Sequence, residues 1–92
     1  MKLSKYRQAI DEMDDQILNL LNKRAALAIK IANVKFDKRI AVSVSDREEE
    51  IYERLSTQNE GPLQEQHIRE IFAAIISTSK SLQHYHLSFN DI

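Results

Sequence analysis

Residues 3–38 read LSKYRQAIDEMDDQILNLLNKRAALAIKIANVKFDK, without a glycine or a proline. Apolar side chains recur along this stretch at Leu3, Tyr6, Ile10, Met13, Ile17, Leu20, Leu27, Ile31 and Val34. Steps that alternate between three and four predict a long helix whose seam packs against other helices. Between Leu20 and Leu27 the seam calls for an apolar residue, and the sequence has Arg24. A guanidinium in such a seam is costly unless an anion meets it there. Arg24 is therefore the first candidate functional residue.

A helix over residues 4–37 would be about 50 Å long, roughly twice the diameter of a compact domain of this size. The rest of a 92-residue chain cannot cover it, so a two-fold homodimer is expected. The formal net charge of −1 argues against general nucleic-acid binding, which favours a basic domain. The chain has no cysteine, so disulfides and thiolate metal sites are excluded. The opening MKLSKYRQ lacks the apolar core of a signal peptide, and no apolar run approaches membrane-spanning length. A cytoplasmic protein with no membrane or nucleic-acid partner is the expectation.

Outward from the first helix, the chain divides readily. Ser4 is placed to cap helix one. The IAVSV segment at 40–44 reads as a loop. Ser45-Asp46-Arg47-Glu48 matches the S-x-x-E capping box and opens a second helix over about 46–58, with Ile51, Tyr52 and Leu55 inward. Gly61-Pro62 breaks the chain, with proline expected in the first turn of a third helix over about 63–84. That helix turns Ile68, Ile71, Phe72, Ile75, Ile76 and Leu82 to one side, and 87–92 reads as a loose tail. The class is all-α, a single domain over 1–92 made of a long, a short and a medium helix.

Continuing the third helix's stripe leads to Ser79 and Gln83, four residues apart and so on one face. A serine can bond back to its own helix, and a glutamine near a helix end can be solvated. Aligned with the stripe, in a chain that also places Arg24 in its seam, they point to a polar pocket inside a helix bundle. Lys35 follows Arg24 by eleven residues, which returns it to within about 20° of the same direction, some 16 Å along the axis. The two cations can close on one small ligand from two ends. Arg7 lies about 25 Å from Arg24 and 42 Å from Lys35 along the helix. It either serves the pocket of a partner chain or is an ordinary exposed residue. Arg47 and Glu48 are likewise either pocket residues or, respectively, a solvated cation and half of a capping box. His67, His84 and His86 lack the spacing of metal ligands, and no Gly-rich phosphate loop or nucleophile motif is present. Neither a metal nor a cofactor is expected.

Together these residues resemble a family. R-x-x-I-x-x-x-D (Arg7, Ile10, Asp14), LL-x-x-R (Leu20, Leu21, Arg24), Lys35, D-R-E (Asp46, Arg47, Glu48) and I-I-x-x-S-x-x-x-Q (Ile75, Ile76, Ser79, Gln83) are similar, in type and spacing, to the all-helical chorismate mutases of the AroQ type. The resemblance covers residues 5–84. It implies an intertwined homodimer with two sites that rearrange chorismate to prephenate without a cofactor. By this likeness Arg24 and the partner's Arg7 hold the substrate's carboxylates with Ser79, while Lys35 and Gln83 address the ether oxygen. Glu48 contacts the ring hydroxyl, and Arg47 flanks the site. Val44 departs from the pattern, since some members have an aspartate there; the valine can offer only its backbone N–H. Two alternatives stand beside this reading. One is a same-fold enzyme acting on a relative of chorismate, either a 4-amino-4-deoxychorismate mutase or an isochorismate-pyruvate lyase. The other is a non-enzymatic helical dimer that binds a partner.

Overall fold

A computed structural model describes residues 2–39 and 45–90. These form three helices: α1 (Lys2–Asp37), α2 (Ser45–Gln58) and α3 (Glu65–Asn90). The described residues contain no strand. None of their helices is long and apolar enough to cross a membrane.

The 36 residues of α1 run unbroken because nothing in them opposes a helix. The helix starts at Lys2, so Ser4 lies inside the first turn instead of capping it. Its far end closes with Lys38 N–H donating to the Val34 carbonyl (3.1 Å) and Arg39 N–H to that of Phe36 (3.1 Å). Arg39 takes the left-handed conformation, φ 57°, that commonly ends a helix.

The turn between α2 and α3 is built by Asn59. Its Oδ1 accepts from the Gly61 N–H (3.0 Å), and its Nδ2 donates to the Leu63 carbonyl (2.6 Å). Gly61 has φ 81°, a conformation that glycine adopts without steric cost. Pro62 lies in this turn and not in the first turn of α3, which starts three residues later. Gln64 caps α3. Its carbonyl accepts from His67 N–H (3.0 Å) and Ile68 N–H (3.2 Å), while His67 Nδ1 accepts from the Gln64 N–H (3.0 Å). His67 thus supplies one half of a capping box, its side chain reaching back from the third position to the N–H of Gln64.

At its other end α3 continues to Asn90, past the expected stop at 84. The stripe explains the extension: Leu87, four residues beyond buried Gln83, is itself half-buried, and no glycine or proline follows Pro62. The expected loose tail is therefore helical as far as Asn90.

α3 packs along α1 and also carries α2. Among the described residues the buried side chains are Ala28 and Ala32 of α1, Ile51 of α2, and Ile68, Ile76 and Gln83 of α3. Alanines on α1 let α3 approach closely, since helix spacing follows the size of the side chains between. α2 is further tied to α3 by Arg69, which donates to Glu49 (3.0 Å), pairs with Glu65 (3.7 Å) and lies 5.0 Å over the Tyr52 ring.

The large apolar seam of α1 is not the surface that meets α3. Leu3, Tyr6, Ile10, Met13, Ile17, Leu20, Leu27, Ile31 and Val34 are each more than half exposed. Ile71, placed on the apolar side of helix three with Ile68 and Ile76, is 45% exposed while those two are buried. The chain extends 55 Å along its longest axis, with a radius of gyration of 16.4 Å, against about 12 Å for a compact chain of this length. One copy leaves its own principal hydrophobic seam uncovered, and a contiguous exposed apolar patch marks an interaction surface.

Candidate active site

Arg24 sits at the border between the uncovered seam and the face that meets α3. It is half-buried, and its Nη1 donates to Ser79 Oγ over 2.9 Å. The serine oxygen serves as acceptor, and its own O–H remains able to donate. Steps of four, three and four along α1 bring Ala28, Ile31 and Lys35 onto the same side as Arg24. With them α1 forms one wall of an open cleft.

α2 and α3 form the rest. Arg47 and Glu48 come from the first turn of α2, and Ser79, Lys80 and Gln83 from α3, above a floor of Ile51 and Ile76. Gln83 is 7% exposed and donates its Nε2 to the Ala28 carbonyl at 2.7 Å. A carbonyl can only accept, so this contact fixes which end of the amide is the nitrogen. Glu48 reaches across to α3, where its buried Oε1 meets the Lys80 ammonium. Arg47 lines the rim and pairs with Glu50 at 3.3 Å, its side chain 61% exposed.

Arg24, Lys35, Arg47 and Lys80 thus surround the cleft against the single carboxylate of Glu48. Such an excess of cations suits a small dianion. Among the described residues no group of three or more His, Asp or Glu is placed to hold a metal.

Six residues singled out from the sequence, Arg24, Lys35, Arg47, Glu48, Ser79 and Gln83, line this one cleft. Arg7 does not. It is exposed on the N-terminal part of α1, about 25 Å along the helix from Arg24. Val44 lies outside the described residues. Lys80 is the cleft residue that sequence reasoning missed. A lysine beside a helical stripe reads as a solvated neighbour, and only the arrival of α2 shows what it faces. Beside Arg24, a second and apolar groove runs between Leu21 and Ala25 of α1 and Ile75 and Leu82 of α3.

The chain has relatives among known proteins. The family model for chorismate mutase type II matches residues 6–84. The chorismate mutase of Methanocaldococcus jannaschii is 34% identical over 87 residues, covering 94% of this chain and 88% of that protein. The bifunctional chorismate mutase/prephenate dehydratase of Aquifex aeolicus is 35% identical over 86 residues, which cover 89% of this chain and 24% of that longer protein. Among solved structures, the form II chorismate mutase of Thermus thermophilus superposes with a TM-score of 0.90 at 27% identity, over 91% of this chain and 96% of that one. With its three helices, its cationic cleft and a match that spans most of its length, the chain belongs to the chorismate mutase type II family.

Proposed function

We propose that this cleft is the seat of the chorismate mutase activity, the [3,3] rearrangement of chorismate to prephenate. One observation carries the assignment: Arg24 and Gln83 are each anchored by a hydrogen bond across the helix pair, in a cleft where cations outnumber carboxylates. The rearrangement breaks a C–O bond and forms a C–C bond within one molecule, so no proton or electron pair passes to the protein. Catalysis consists of selecting the compact conformer and stabilising the charge that grows on the ether oxygen.

Arg24, steadied by Ser79, binds one carboxylate and favours the folded substrate. Lys35 and the second N–H of the Gln83 amide donate to the ether oxygen as negative charge develops there. Glu48 accepts the ring hydroxyl, and Arg47 flanks the mouth. The remaining carboxylate takes Arg7 of the partner subunit. The exposed seam of α1 and the apolar groove beside Arg24 support a homodimer in which a second α1 lies across this surface, since two-fold pairing buries the same patch on both copies.

The test is to incubate the protein with chorismate, isochorismate and 4-amino-4-deoxychorismate, following loss of substrate absorbance and separating products by chromatography. Conversion of chorismate to prephenate is expected. Turnover of none of the three overturns the reading, and release of pyruvate from isochorismate alone would make the chain a lyase.

A further inference from the structure

We propose that Lys80 makes the cleft select a neutral hydroxyl over an ammonium group on the substrate ring, by holding Glu48 as a neutralised pair. This rests on the reading above, in which Glu48 faces the ring substituent. The Lys80 ammonium comes from α3 and meets the buried Oε1 of Glu48 on α2. The side chains are 33% and 25% exposed, so the pair borders the cleft and water screens it in part, while the Glu48 Oε1 that meets the ammonium is itself buried. Arg47, the nearest cation in sequence, turns instead to Glu50.

A carboxylate with an ammonium on one oxygen still has lone pairs for an O–H donor. It has no net charge left to attract a second cation. A protonated amine at that ring position would meet the Lys80 ammonium at close range, where the low-dielectric wall strengthens repulsion. Without Lys80, Glu48 would be an uncompensated carboxylate, and the preference would move towards the amine. Lys80 is thus a positioning residue that acts through Glu48.

The experiment compares kcat and KM for chorismate and 4-amino-4-deoxychorismate in the wild type, Lys80→Met, Lys80→Gln and Lys80→Arg. The wild type favours the hydroxyl substrate. Both neutral variants lower that preference by about tenfold or more, chiefly through a lower KM for the amino substrate, because a like-charge juxtaposition is removed. Lys80→Arg, which keeps the cation, retains the preference. If the neutral variants raise both KM values equally and leave the ratio unchanged, Lys80 holds a substrate carboxylate and the proposal fails alone. A wild type that prefers the amine also overturns it. A wild type that turns over neither substrate removes the reading beneath it as well.

Discussion

Gln83 and Ala28, 55 residues apart, are joined by a 2.7 Å hydrogen bond from the side-chain amide to the backbone carbonyl. The bond clamps α3 to α1 and, with the same atom, orients a donor. The amide nitrogen carries two hydrogens; one is used on Ala28, and the other is left to face the cleft. Gln83→Leu should therefore act on two observables at once. Loss of the helix-to-helix bond costs about 1 kcal/mol, a fall in Tm of about 4–8 °C for a chain of this size. Loss of the preorganised donor lowers kcat by about 10²–10³. Thermal melts and steady-state kinetics separate the two effects, and a variant with unchanged kcat would remove Gln83 from the chemistry.

Gln83→Glu gives a pH-dependent version of the same test. The introduced carboxyl faces the Ala28 carbonyl, which offers only lone pairs, so the protonated form alone can donate. Burial and that acceptor raise its folded pKa above the unfolded value of about 4.3, against the pull of the Arg24 and Lys35 cations in the same cleft. The stability of the protonated form is present below the unfolded pKa and is lost as pH rises through the folded pKa. Activity follows the same direction. A kcat/KM profile that rises towards acid, where the wild type's does not, is the expected outcome; a flat profile would show that the side chain at position 83 donates nothing.

Arg24 and Ser79 form a second anchor, at 2.9 Å. Ser79→Ala leaves the guanidinium in the cleft but removes the partner that aims it. A hydrogen bond to a charged group contributes about 1.5–3 kcal/mol, so KM should rise about tenfold or more. Arg24→Ala should abolish activity at little cost in stability, since it removes a half-buried charge together with its desolvation. The double variant should be no worse than Arg24→Ala alone, because residues that act through one contact do not add. A strictly additive result would mean that Ser79 meets the substrate independently of Arg24.

The residues legible in the sequence are those whose chemistry conflicts with their position. Arg24 interrupts an apolar seam, and Ser79 and Gln83 continue an apolar stripe with polar groups, so periodicity alone marks all three. The helices are legible for the same reason, because 3.6-residue spacing survives without any tertiary information. What periodicity cannot decide is which apolar face meets which neighbour. The seam of α1 reads as a core face, yet one chain covers the alanine face around Ala28 and Ala32 and leaves the seam outside. Residues 87–92 read as a loose tail, whereas half-buried Leu87 carries the stripe onward and the helix reaches Asn90. Lys80 is not legible at all. Its meaning comes from Glu48, a residue on another helix.

Arg69 tests whether the α2–α3 tie is separate from the cleft. Its hydrogen bond to Glu49 comes first among the causes that raise its pKa, and Glu65 adds to it. A raised folded pKa gives stability that is present below the unfolded pKa and lost only as pH rises through the folded one. For an arginine that window lies above about pH 12. The tie should therefore be constant in alkaline buffers up to about pH 10, while salt weakens it by screening. Arg69→Met should lower Tm by a few degrees or less, as exposed pairs do, with kcat unchanged. A large loss of activity would show that the position of α2, and hence of Glu48, depends on Arg69.

The length of α1 leads to the last prediction. Arg7 and Arg24 lie about 25 Å apart along one rigid helix, so a single subunit cannot bring both to one substrate. If each site of a dimer takes Arg24 from one copy and Arg7 from the other, then Arg7→Ala and Arg24→Ala are each inactive as homodimers. Unfolded together and refolded as an equal mixture, half of the dimers pair one of each. Every mixed dimer has one site with both lesions and one site with neither, so about a quarter of wild-type activity should return on two-fold assembly. Arg24→Ala mixed with Ser79→Ala should show no such rescue beyond the activity of the parents, because both lesions fall on the same half of a site. Ile17→Asp, placed on the uncovered seam, should prevent the rescue by blocking the pairing. Sedimentation should then show a monomer or an unfolded chain. A mixture no more active than the mean of its parents would mean that Arg7 is an ordinary surface arginine and that the second carboxylate is held from within the chain.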